Sequence, residues 1–169
     1  AGGFALELDR RWRLGFKPHR LVLESDGERV ELDLEDDAGW KLPDGAALSR
    51  PYRALVDGVV LACADNNPLS SFEAHPDKAG NALDLGGRTP EEWTGALAAA
   101  FELVEQHLPD LAPELRLVMQ TLVPVGHDRE KHLSASYAEC IGTAYLTLHP
   151  DRMTMTEALI HEFSHNKLN

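Results

Sequence analysis

The sequence predicts an α+β fold, and three observations carry that expectation. The N-terminal third alternates apolar and polar residues, as half-buried antiparallel strands do. A strongly capped amphipathic helix follows near the middle. The chain closes on a strand, a turn and a helix bearing His161-Glu162-Phe163-Ser164-His165, an H-E-x-x-H motif. At 169 residues this is one domain's worth of chain, enough to bury a core. The expected division is a β-rich region at 1–60, within or beside the domain proper, and a metal-binding domain at 61–169.

Phe4-Ala5-Leu6-Glu7-Leu8, Arg20-Leu21-Val22-Leu23-Glu24 and Arg29-Val30-Glu31-Leu32-Asp33-Leu34 alternate, and Ser25-Asp26-Gly27-Glu28 reads as a hairpin turn. Residues 36–51, rich in Asp, Gly, Pro and Ser, read as a loop. Arg53 to Ala64 is an apolar run broken by Asp57-Gly58, a hairpin or a buried strand. Asp65 to Gly87 is long and irregular, a surface excursion or part of a binding site. Thr89-Pro90-Glu91-Glu92 opens a helix with a capping box and proline in its first turn. Trp93, Leu97, Phe101, Val104 and Leu108 form its apolar stripe, and Pro109 ends it. Glu114 to Val125 reads as a strand ending at Pro124, Gly126 to Lys131 as a polar loop, and Thr143 to Leu148 as a strand. Thr154, with Glu157 three residues on, reads as the cap of the final helix, placing the motif on its second and third turns.

Composition narrows the function. A net charge of −12, from 28 acidic and 16 basic residues, argues against nucleic acid and anionic membranes as partners. Cys63 and Cys140 are too few for a disulfide framework and read as reduced thiols. There is no signal-peptide pattern and no membrane-length apolar run, so a cytoplasmic protein is expected. The chain stops four residues after His165 with no visible helix cap, so a longer natural chain is also expected.

The motif carries the chemistry. Residues four apart share a helix face, so His161 and His165 can aim two imidazoles at one divalent ion. Glu162 lies one residue round from His161, where it would face the ion's open side as a general base for bound water, the zinc metallopeptidase arrangement. Such a site needs a third ligand, and the upstream candidates are His127, His132, Glu139, His149 and Asp151. Lys167 stands where protease patterns usually hold an apolar residue, a departure from proteolysis. A non-haem iron oxygenase also uses two histidines and a third ligand, leaving positions for a 2-oxo acid and oxygen. Glu162 would then orient rather than abstract a proton. Arg116, Arg129, Arg152 or Lys167 could pair the cosubstrate's distal carboxylate. A third reading is an inactive binding module that keeps the helix for structure.

The segment Ser136-Tyr137-Ala138-Glu139 through Leu146-Thr147-Leu148-His149-Pro150-Asp151, with the helix through Lys167-Leu168, resembles the HExxH domain of peptide-modifying proteins. These occur in ribosomal-peptide biosynthesis, alone or fused behind a radical SAM cyclophane-forming enzyme. Asp65-Asn66-Asn67-Pro68, His75-Pro76, the Trp93 helix and Leu122-Val123-Pro124 fit as well, so the likeness spans roughly residues 60 to 169. Residues 1–50 match nothing in it. The resemblance implies Fe(II)- and 2-oxoglutarate-dependent β-hydroxylation of a peptide side chain, typically aspartate. It implies His161 and His165 as iron ligands, a precursor-peptide substrate, and a radical SAM partner or fused domain. Lys167-Leu168 falls on the family's H-x-K-L ending, and Ser164 stands where members commonly have Gln.

Overall fold

The computed structural model of the chain describes residues 5–33, 42–44, 47–49, 52–63 and 82–168. It is an α+β protein with two compact units, one running to Arg50 and one over Pro51–Asn169.

The first unit is all β. Strand β1 (Ala5–Glu7) pairs antiparallel with β5 (Ala47–Ser49). Strands β2 (Arg13–Lys17), β3 (Arg20–Ser25) and β4 (Glu28–Asp33) form an antiparallel sheet in that order. The expected turn joins β3 to β4. Asp26 and Gly27 both have positive φ, 46° and 83°, the pair a two-residue hairpin loop requires. Trp12, Leu21, Leu23 and Leu32 make a small core, with Leu6, Leu8, Val30 and Leu42 against it. β5 lies inside the stretch expected to be loop. Its three residues are strand because β1 pairs with them, a tertiary cause that local composition does not carry.

The second unit begins with a hairpin, β6 (Tyr52–Val56) and β7 (Val59–Ala62), turning at Asp57-Gly58 with Gly58 at φ 79°. β7 pairs parallel with β8 (Thr121–His127), so residues 51–60 belong with this unit rather than with the N-terminal strands. β8 pairs parallel with β10 (Thr143–Leu148), and β10 pairs antiparallel with β9 (Ser134–Ala135) at the sheet's edge. The order is β6-β7-β8-β10-β9.

Helix α1 (Pro90–His107) starts as expected. Thr89 Oγ1 accepts the Glu92 N–H at 3.2 Å, and Glu92 accepts the Thr89 N–H at 2.8 Å. Trp93, Leu97, Phe101 and Val104 are buried, whereas Leu108 is the helix's exposed cap residue. His107 is exposed in the last turn.

Three expectations need correction. Residues expected to open a strand at Glu114 form helix α2 (Ala112–Val118) instead. Leu115-Arg116-Leu117-Val118 alternates like a strand. Pro113 in the first turn and burial of Ala112 and Leu115, three apart, decide for helix. Pro124 does not end β8, which continues to His127. Pro124 is tolerated because the neighbouring strand changes there: β7's last pair is Leu61–Leu122, and beyond it Asp84 bridges Val125. Helix α3 (Arg152–Leu168) begins earlier than expected. Asp151, not Thr154, caps it by accepting the Thr154 N–H at 2.8 Å. The carboxylate just after Pro150 is the stronger cap, and the motif consequently lies on the third and fourth turns.

The three helices share one core with the sheet. Trp93, Leu97, Phe101, Leu115, Met119, Leu122, Leu146, Met155, Leu159 and Phe163 are all buried in it. A smaller cluster of Ala62, Val123, Val125 and Tyr145 covers the other face. β10 is therefore buried on both faces, which fixes the position of α3 beside it. Of the irregular stretch before α1, residues 64–81 lie outside the described residues, with Asp65–Pro68 and His75-Pro76. In the remainder, Trp93 Nε1 donates to the Leu85 carbonyl at 3.0 Å. Gly86 lies so close to His127 that a Cβ would fall 2.2 Å from its backbone nitrogen. No helix among the described residues is long and apolar enough to cross a membrane.

Candidate metal centre

Helix α3 is amphipathic about the motif. Met155, Ala158, Leu159, Glu162, Phe163 and Asn166 face inward, and His161 and His165 face out. The two imidazoles meet edge to face, with ring centroids 4.5 Å apart and Nε2 atoms 3.0 Å apart. Without a metal, one Nε2–H donates to the other nitrogen. With a metal, both would present lone pairs. This pair fits two ligands of one divalent ion. Among the described residues no third His, Cys, Asp or Glu joins it.

Glu162 lies about a quarter-turn round the helix from His161 and turns inward. It is 1% exposed, and its two oxygens accept the Ser134 and Ser136 hydroxyls, each at 2.5 Å. Oε1 remains 3.9 Å from His161 Nε2. Ser134 and Ser136 alternate along the edge segment, so both hydroxyls face α3. Asn166, 4% exposed, locks this arrangement. Its Nδ2 donates to Ser136 Oγ at 2.9 Å and to the Glu162 carbonyl at 3.0 Å, and its Oδ1 accepts the Gly142 N–H at 2.6 Å. One side chain thereby ties the last turn of α3 to the start of β10 and to the segment holding Glu162.

No family model matches the chain, and no curated protein matches it.

The upstream ligand candidates are dispersed. His127 ends β8, with Nε2 3.4 Å from Arg88. His149 follows β10; its Nε2 meets the Arg129 carbonyl at 3.1 Å and its Nδ1 accepts the Asp151 N–H at 3.0 Å. Asp151 is occupied as the helix cap, which holds its carboxyl below the usual range. Glu139 is exposed in a short 3-10 turn, Ala138–Cys140. His132 lies edge to face with His149 at 6.5 Å, and its buried Nε2 has no hydrogen-bond partner among the described residues. Burial, and then the neighbouring His149, push its pKa down.

Of the cationic candidates, Lys167 pairs with Glu114 at 2.7 Å and lies over the Phe163 ring, and Arg116 is 3.6 Å from Glu105. Arg129 and Arg152 have no carboxylate partner among the described residues. Ser164 bonds back to the Ile160 carbonyl at 2.8 Å and is exposed. Cys63 and Cys140 are free and half-buried. Sequence reasoning missed Ser134, Ser136 and Asn166. Their spacing carries no motif, and only the pairing of β9 with β10 brings the serines over α3.

Proposed function

We propose that this chain is a metal-dependent peptide-modifying enzyme: an Fe(II)- and 2-oxoglutarate-dependent hydroxylase acting on a peptide side chain, the β-carbon of Asp or a similar residue. A precursor peptide as substrate, a radical SAM enzyme as partner or fused domain, and a cytoplasmic location belong to the same proposal. The observation that carries it is the His161–His165 pair, with Nε2 atoms 3.0 Å apart on the open face of α3. His161 and His165 would hold the iron, which when bound supplies oxidation of a C–H bond coupled to decarboxylation of the 2-oxo acid.

Ser134, Ser136 and Asn166 fix Glu162, so its carboxylate orients the ligand-bearing turn instead of swinging freely to take a proton. The exposure of both imidazoles leaves that face open to a peptide.

A zinc metallopeptidase is the second reading, favoured by one distance: Glu162 Oε1 lies 3.9 Å from His161 Nε2, close enough to serve a bound water after a small rotation. Glu162→Gln separates the two. With Fe(II), 2-oxoglutarate and an Asp-containing peptide, succinate release within about tenfold of wild type supports the hydroxylase. No succinate from any peptide, together with Zn(II)-dependent cleavage falling by about a thousandfold or more in Glu162→Gln, establishes the peptidase instead.

A further inference from the structure

The first unit carries a surface that the metal centre does not use. β2 is the edge of its sheet and pairs only with β3 among the described residues. All five of its residues are exposed. An edge strand offers its outward N–H and C=O groups to another chain unless something blunts it.

Its two faces differ in chemistry. Leu14 and Phe16 stand opposite Leu23 and Leu21, so they extend the face that is buried around Trp12 and Leu32. Yet Leu14 is 54% and Phe16 77% exposed. Arg13 and Lys17 lie on the other face, with Gly15 between them. The stretch 10–20 contains Arg10, Arg11, Arg13, Lys17 and Arg20 and no carboxylate, in a chain whose net charge is −12. Arg10 is held by Glu28, and Lys17 and Arg20 share Glu31. Arg11 and Arg13 have no carboxylate partner among the described residues.

We propose that β2 is a docking edge for an acidic, extended peptide segment, which adds as a further strand with apolar side chains against Leu14 and Phe16, one carboxylate against Arg13 and another competing with Glu31 for Lys17. Alternate side chains of an added strand point to opposite faces, so this edge selects an alternating apolar–acidic sequence. A second copy of this chain is the wrong occupant: β2 against β2 in antiparallel register sets Arg13 and Lys17 against each other, and like charges directly opposite repel. The inference does not depend on whether the metal centre acts as proposed.

The test is isothermal titration of the protein with a short synthetic peptide alternating Val and Glu. Saturable binding is expected, weakening as salt is raised and about tenfold or more weaker in the Arg13→Glu/Lys17→Glu double variant. The same peptide methylated on alternate backbone nitrogens should not bind, which separates strand addition from simple charge attraction. Equal binding of a Val–Lys peptide, or acidic binding indifferent to backbone methylation, overturns the proposal. So does concentration-dependent self-association abolished by Phe16→Glu, which assigns the edge to a second copy. Circular dichroism of each variant checks folding. If the double variant unfolds, Phe16→Ser, which removes only the apolar contact, replaces it and should also weaken binding.

Discussion

Asn166 should be worth far more than a polar residue near a helix end usually is. In Asn166→Ala the buried Gly142 N–H loses its acceptor, a cost of about 1–3 kcal/mol. The lost bonds to Ser136 and to the Glu162 carbonyl add about 0.5–1 kcal/mol, a small increment because that carbonyl keeps its helical partner. The sum is about 1.5–4 kcal/mol, and with a urea m-value of about 2 kcal/mol/M the midpoint falls by about 0.75–2 M. Asn166→Asp sharpens the reasoning. Ionised, it keeps the acceptor for Gly142 but cannot donate to Ser136, and it buries a second carboxyl beside Glu162. Burial and a like charge raise that Asp's folded pKa above its unfolded value. The variant's stability relative to wild type is therefore best below the unfolded pKa of about 3.9 and is lost as pH rises from there through the raised folded pKa. Equilibrium urea unfolding at several pH values reads both effects. A loss below about 0.5 kcal/mol in Asn166→Ala, the range of ordinary surface changes, would refute the reasoning. So would an Asn166→Asp deficit that does not change with pH.

Two further outcomes follow from helix starts. Thr89→Ala removes half of a reciprocal cap and should cost about 1 kcal/mol, read as a lower urea midpoint with unchanged slope. Asp151 is held below its ordinary pKa of 3.8 by the Thr154 N–H and hydroxyl, so its contribution is present above that value and lost as pH falls through the folded pKa. Hydrogen exchange should show the first turn of α3 losing protection in that acid window, with Asp151→Ala already unprotected at neutral pH.

Elements whose signals are local were legible in the sequence. The Thr89 box and the Asp26-Gly27 turn need only neighbouring residues, and both formed as expected. Thr143 to Leu148, rich in Thr, Tyr and Leu, was a strand by residue type alone. Elements decided by distant partners were not legible. β5 exists because of β1, β9 because of β10, and α2 because its buried residues find the core despite a strand-like alternation. The α3 start was misplaced because two acceptable caps stand three residues apart and only the backbone chooses Asp151. In the candidate centre, i and i+4 spacing sufficed to bring His161 and His165 together. The inward turn of Glu162 onto Ser134 and Ser136 depends on an edge strand that no motif announces.

The central claim is that His161 and His165 hold one divalent iron that takes up 2-oxoglutarate. Anaerobic titration of the protein with Fe(II), followed by 2-oxoglutarate, tests it through the visible charge-transfer absorption of a 2-oxo acid chelated to ferrous iron. The account predicts that band at one equivalent of iron, and its loss in both His161→Ala and His165→Ala. No such band in the wild-type protein, or one that survives both substitutions, would contradict it.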